Sequence, residues 1–256
     1  MLVKRFRSQL LWVRPSRQSE RYRRGESVTA NDHGRQLASI ARDLAEQADR
    51  QSFAIRLAEL AAKISNVAGS TVVHRNRGGL LNIDATAGPQ LRDLAAELCA
   101  GTDGPLWAAV TGTSAIVLNR LPDERWRGLT SRLTTETDIR SAALFSLGGT
   151  ERERFALGLF SDEPGYFGAD QLEVLSSLVD HASIGLSLVL GRERVANLQV
   201  ALATNRNIGV AVGIAMSQLR LPQEVALDTL VRISQRSHRK LRDVADEVAF
   251  TGEVAV

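Results

Sequence analysis

Hydrophobic positions recur every three to four residues at both ends of this chain and give way between them to short, dense β-rich runs. At the front, Leu37, Ile40, Ala41 and Leu44 make one apolar stripe, and Ile55, Leu57, Leu60, Ala61 and Ile64 make another. Together they predict helix over residues 35–66. The period then shortens. Residues 71–74 and 80–83 are β-rich and flank Arg75, Asn76, Arg77, Gly78 and Gly79, a hairpin signal. Residues 89–98 return to a helical period, with Pro89 suited to a first turn. Gly104 and Pro105 open a short helix, residues 114–118 are strand-like, and residues 126–134 read as a modest helix. A second hairpin is predicted from residues 142–147 and 155–160, whose near-continuous apolarity suits central strands covered on both faces. Pro164 and Gly165 break the chain before a long helix that starts at Ala169 and reaches Leu190. This order predicts an α+β unit, an antiparallel sheet with helices packed on it.

From Val195 a spacing of three and four runs unbroken through Leu198, Leu202, Asn205, Gly209, Val212, Met216 and Leu219. Such a stripe is either a face buried within its own chain or a coiled-coil seam. Its continuation out of the preceding helix and the polar Asn205, a register-setting residue, favour a homodimer. Val195, Leu198, Leu202, Asn205 and Val212 are the expected seam positions. Ile208, Ala211, Ile214 and Ala215 form a second face for whatever follows. Pro222 separates this helix from the next, on which Ala226, Leu227, Leu230, Val231 and Ser234 share a face. A third helix is expected to begin near Ser237 and His238, to carry Leu241, Val244, Ala245, Val248 and Ala249 inward, and to end at Gly252. These three apolar faces predict a small all-α bundle. The expected organisation is a basic, disordered arm over residues 1–34 and a sheet-bearing unit over 35–190. A connecting helix over 191–219 merges into a three-helix module over 196–252.

Composition changes this picture only in places. A length of 256 residues leaves room for two ordinary domains or one large one, and 44% apolar residues suffice for packed cores. The single cysteine, Cys99, excludes an internal disulfide and any multi-cysteine metal site, and its neighbours Leu98 and Ala100 favour a buried small hydrophobe. No apolar stretch approaches the length of a membrane span, and residues 10–13 are too short for a signal-peptide core, so a cytoplasmic protein is expected. The net charge of +3 is unevenly laid out: residues 1–30 hold eight Lys and Arg against Glu20 and Glu26. Residues 196–256 hold seven against six acids. The high pI therefore belongs to the N-terminal arm, which either touches nucleic acid or is a plain leader.

Candidate chemistry is sparse. The chain has no nucleophile–base arrangement, no glycine-rich phosphate loop and no paired carboxylates, so neither an enzyme nor catalytic residues are expected. His74 and His181 lack partners at metal-ligand spacing, no metal site is expected, and residues 151–154 read as a solvated turn. Trp107, Trp126, Phe145 and Phe160 either line a small-molecule pocket over the sheet or pack the core. Cations gather in one place. Arg236, His238, Arg239, Lys240 and Arg242 surround the expected start of the third helix, where the helix N-terminus adds to their attraction for phosphate. Arg242 and Asp246 have the spacing of an intrahelical ion pair.

Two stretches resemble known families. Ile208, Gly209, Ala211, Gly213, Ile214 and Met216, then Ala226, then Ser234, Gln235, Lys240, Leu241, Arg242, Asp243, Val244 and Ala245 follow the pattern of the ANTAR domain of transcription antiterminators. Val212 stands where the family has lysine, Leu227 where it has Phe, and His238 where it has Asn. Residues 101–106, 117–126, 142–160 and 163–168 resemble a GAF domain, a small-ligand sensory fold, although Asp103 and Leu106 replace the acid and the thiol of many GAF domains joined to ANTAR domains. The resemblance implies a GAF sensor, with an unknown small-molecule effector and no cofactor. It also implies an RNA-binding output that grips stem-loops of a nascent leader transcript and prevents terminator formation. The alternatives are a GAF-containing DNA-binding regulator and a protein-interaction regulator without RNA activity.

Overall fold

The computed structural model describes residues 39–91, 98–99, 101–151 and 153–254, and the chain divides into two compact units, Met1–Val189 and Leu190–Val256. The basic arm and residues 92–97 of the helix expected over 89–98 lie outside the described residues.

In the first unit the helix expected over residues 35–66 is interrupted. Residues 39–45 are helical, and the chain then leaves the helix before α1 (Arg50–Ser65) begins. Asp49 is the reason. It adopts an extended backbone and its carboxylate accepts from Ser52 N at 2.8 Å, which caps a new helix rather than continuing the old one. Next come β1 (Gly69–Arg75), β2 (Leu81–Ala87), α2 (Pro105–Thr111) and β3 (Ile116–Leu118). A short 3-10 turn (Glu124–Trp126) leads into α3 (Arg127–Glu136), then β4 (Ser141–Gly149) and β5 (Arg154–Ser161). The sheet order is β2-β1-β5-β4-β3 with every neighbouring pair antiparallel. The most apolar run thus becomes the central strand β5, buried from Phe155 to Ser161.

Strand alternation sorts the core into two faces. Val73, Ala142, Leu144, Ala156 and Phe160 pack with Leu106, Ala109 and Val110 of α2 and Leu133 of α3. The opposite face carries Ser70, whose hydroxyl donates to Ala58 O of α1 at 2.6 Å. His74 lies on that face too. It is buried, its Nδ1 is 2.9 Å from the Asp84 carboxylate, and Gln51 of α1 donates to Asp84 O at 2.7 Å. Asp84 has no Cα partner where the β1–β2 register shifts, and this bulge brings its carboxylate to the histidine.

Helix α4 (Ala169–Leu219) is 51 residues long. The expectation that no stretch reaches membrane-spanning apolarity is corrected here, because α4 passes by length and composition alone, with mean hydropathy 1.5 over its most apolar window. Packing accounts for part of that apolarity, 39% of the window being buried, while Val174, Ile184 and Leu188 stay exposed. Leu175, Leu178, Ala182, Leu186 and Val189 recur at helical spacing and are all buried in the first unit, and Gly185 gives Phe53 and Leu44 room to approach.

The second unit consists of the end of α4, α5 (Gln223–Arg236) and α6 (Leu241–Thr251). Its core is small: Ala211, Val212 and Ala215 meet Ala226 and Leu230 of α5 and Val244, Ala245 and Val248 of α6. Ile233 joins this core, whereas Leu227 is exposed, so the inward face of α5 runs through 226, 230 and 233. Polar clamps close the ends. Asn207 donates to the Asp246 carboxylate at 2.8 Å, and Val254 N donates to Gln218 Oε1 at 3.0 Å.

Candidate nucleic-acid interface

The cationic corner is built by the way α5 ends. Ser237 N donates to Ile233 O at 2.9 Å, His238 N to Gln235 O at 3.3 Å and Arg239 N to Ser234 O at 3.1 Å. The last two bonds are the pair of a Schellman motif, which places His238 at the left-handed position with φ of +53°. Ser234 locks the turn a second time, donating its hydroxyl to Arg239 O at 2.6 Å. Glycine adopts a left-handed backbone without the Cβ penalty that histidine pays there. Replacing His238 by glycine is therefore expected to raise stability by about 0.5–1 kcal/mol. Thermal unfolding checks this, and a lower midpoint would contradict it.

The third helix starts later than expected. Lys240, with an extended backbone, precedes α6, while Ser237 ends α5 and turns its hydroxyl back onto Ile233 O at 2.7 Å. The Schellman turn consumes residues 237–239, which is why helix cannot begin there. No side-chain hydrogen bond caps the start of α6, which leaves that helix N-terminus open to an anion.

The five expected cations fall into two kinds. Arg236, His238 and Lys240 are exposed and have no acidic partner among the described residues. Arg239 is paired with Glu247 and donates to Asp243 O at 3.3 Å, and Arg242 pairs with Asp243 at 3.1 Å. Arg242 therefore does not pair with Asp246, whose carboxylate is held by Asn207. Both ion pairs are solvent-exposed and hence weak, so a phosphate can displace their acids at small cost. Phe250, not among the expected contact residues, is 91% exposed on α6. A large apolar ring one residue beyond an inward stripe is the sequence signal for it.

On α4, Val195, Leu198, Leu202 and Asn205 are exposed, with Leu202 at 68%. Val212 is corrected out of this stripe: at 7% exposure it sits in the bundle core against α5 and α6, so it cannot also face a second helix.

The expected pocket aromatics are split between the two faces of the sheet. Ala142 is the direct partner of Phe160, so Phe160 lies on the α2–α3 face, while Phe145, an odd number of residues from Ala142, points to the opposite face. Trp126 packs against the α2–α3 core beneath Arg125, and Trp107 lies 6.0 Å from the Arg75 guanidinium. A polar groove of about 340 Å³ lies elsewhere, lined by Gln90, residues 134–138 and Arg140. Cys99 packs against the same core, and burial pushes its thiol up to about 12, which withholds the thiolate. His181 turns its Nδ1 onto Ser177 O at 2.7 Å, and no cluster of three metal-ligating side chains occurs among the described residues.

Residues 196–248 match the family model of the ANTAR domain. No curated protein matches the chain. Among solved structures, free methionine-R-sulfoxide reductase from Neisseria meningitidis, in complex with its substrate, aligns at 14% identity and a TM-score of 0.51, over 66% of this chain and 96% of its own. The GAF domain of a phosphoenolpyruvate-protein phosphotransferase from Coxiella burnetii aligns at 11% identity and a TM-score of 0.51, over 65% of this chain and 99% of its own. At these identities the likeness is one of fold. The five-stranded antiparallel sheet with its flanking helices is a GAF fold, and with the ANTAR domain that follows it the chain has a GAF–ANTAR architecture.

Proposed function

We propose that this chain is a cytoplasmic, homodimeric transcription antitermination regulator whose ANTAR unit binds stem-loops of nascent leader RNA and keeps the terminator hairpin from forming, under control of the GAF sensor. The observation that carries the reading is the ANTAR match over 196–248, within which Arg236, His238 and Lys240 stand exposed and, among the described residues, without acidic partners beside an uncapped helix start. Phosphates are drawn to that corner. Unpaired loop bases find in Phe250 a ring on which to stack. An effector in the GAF unit biases the pairing of the α4 helices and thereby the spacing of two RNA-binding heads.

The exposed acids Asp243, Asp246 and Glu247 on α6 speak against a DNA major-groove reader. No activated nucleophile occurs among the described residues. The likeness to a reductase is one of fold, and the only cysteine is held as a thiol.

The test is transcription in vitro from a template whose leader carries two small hairpins ahead of a terminator. Added protein is expected to raise read-through, and unchanged read-through would remove the antitermination role. The dimer has its own test. Lysines in place of both Leu198 and Leu202 would set like charges across the seam, and the mass in solution is expected to fall from twice 27.8 kDa to 27.8 kDa. A wild-type protein that is already monomeric would contradict the seam.

A further inference from the structure

Arg75 and Arg154 are direct partners on the adjacent strands β1 and β5. Their side chains emerge on one face of the sheet, since each is two residues from an α2–α3 core position, Val73 and Ala156. Like charges opposed in this way are destabilising unless something lies between them. Among the described residues no carboxylate comes within ion-pair distance of either guanidinium. The nearest acid in sequence, Glu153, turns to the other face toward Arg50 at 4.0 Å.

What the two side chains do contact is weak. Arg75 donates to Glu151 O and Arg154 to Gly112 O, each at a long 3.4 Å. The Nε atom of each is buried and has no hydrogen-bond partner. Buried donors left unmade are costly and uncommon, and here two of them belong to one cross-strand pair. The surroundings are specific as well: the Trp107 ring of α2 lies 6.0 Å from the Arg75 guanidinium, and the Gly112 carbonyl at the end of the same helix holds Arg154.

We propose that Arg75 and Arg154 form the oxyanion-binding site of the sensor unit, taking the carboxylate or phosphate of a small molecule whose planar or apolar part lies along Trp107. The inference rests on the sensor role proposed above and names the chemistry of its effector. Two guanidinium forks present paired N–H donors in the geometry that carboxylates and phosphates accept. A bound oxyanion removes the repulsion between the arginines and satisfies the orphaned Nε donors together. The donors lie beneath the surface between the sheet and α2, which suits a small anion and not the backbone of a folded RNA.

The test is calorimetric titration and thermal unfolding of the full chain, without RNA, against inorganic phosphate and against succinate at ionic strength fixed with chloride. One of the two is expected to bind saturably and raise the unfolding midpoint, and which one does so separates phosphate from carboxylate chemistry. Arg75→Gln and Arg154→Gln are each expected to weaken that binding at least about tenfold, the loss of a charge-assisted bond. Each is also expected to raise the midpoint of the anion-free protein, because one of two opposed charges is gone. No saturable binding of either anion up to about 10 mM, weaker than any useful effector affinity, would overturn the proposal. So would unchanged affinity in both variants. Since no RNA is present, failure here leaves the RNA reading standing, and failure of RNA binding leaves this site standing.

Discussion

Truncating Arg236 and Lys240 together to alanine is expected to weaken RNA binding by about two orders of magnitude while leaving the fold intact. Both side chains are exposed and neither has an acidic partner among the described residues, so their removal is expected to cost the apo protein little beyond a small change in surface charge. Each bond to a phosphate is charge-assisted and contributes about 1.5–3 kcal/mol, hence at least about tenfold per residue. The slope of log affinity against log salt should also fall by about 0.7–1 for each cation removed from a phosphate. Filter binding or fluorescence anisotropy at several salt concentrations reads both quantities. The paired Arg239 and Arg242 should give smaller losses, because Glu247 and Asp243 already offset their charge. Equal losses from all four positions would mean that the exposed ion pairs are open in solution.

The second large effect concerns stability. Replacing Leu230 by alanine should cost about 2–5 kcal/mol, the range for a buried leucine in a core that cannot close over the gap. Leu230 is fully buried among Ala211, Val212, Ala215, Val244, Ala245 and Val248, short side chains that have little reach to refill the space. A unit of this size has about 3–9 kcal/mol to lose. Hydrogen exchange over residues 208–248 is therefore expected to approach the unfolded rate in Leu230→Ala. Protection that survives unchanged would show that the bundle draws its stability from elsewhere. Leu227→Ala is the control, since its exposed side chain predicts a change within about 0.5 kcal/mol.

Elements with strong local signals were legible in the sequence. The two hairpins, the Pro105 helix and the three helices of the second unit follow from period and from Gly and Pro placement. What was not legible depended on local competition or on tertiary register. Asp49 reads as an ordinary polar residue of a helical stretch until its carboxylate is seen capping Ser52. The start of α6 shifted because a left-handed His238 is not marked by composition as a glycine would be. Val212 satisfied a seam and a core equally well by spacing, and only the packing of α5 and α6 against it decides between them. Phe145 and Phe160 were grouped by residue type, yet the parity of their strand positions puts them on opposite faces. The facing of Arg75 and Arg154 follows from a pairing of residues 79 apart in the chain, which no local pattern encodes.

The measurement that bears most directly on the central claim is a binding titration of the full chain against three ligands at two salt concentrations. They are an RNA with two small hairpin loops, the same RNA with its loop bases scrambled, and a duplex DNA of matched length. A loop-reading ANTAR unit should prefer the first RNA at both salts, and its preference over the scrambled RNA should persist as salt weakens all three. Equal affinity for the three ligands, falling together with salt, would contradict the account and leave only a general attraction for polyanions.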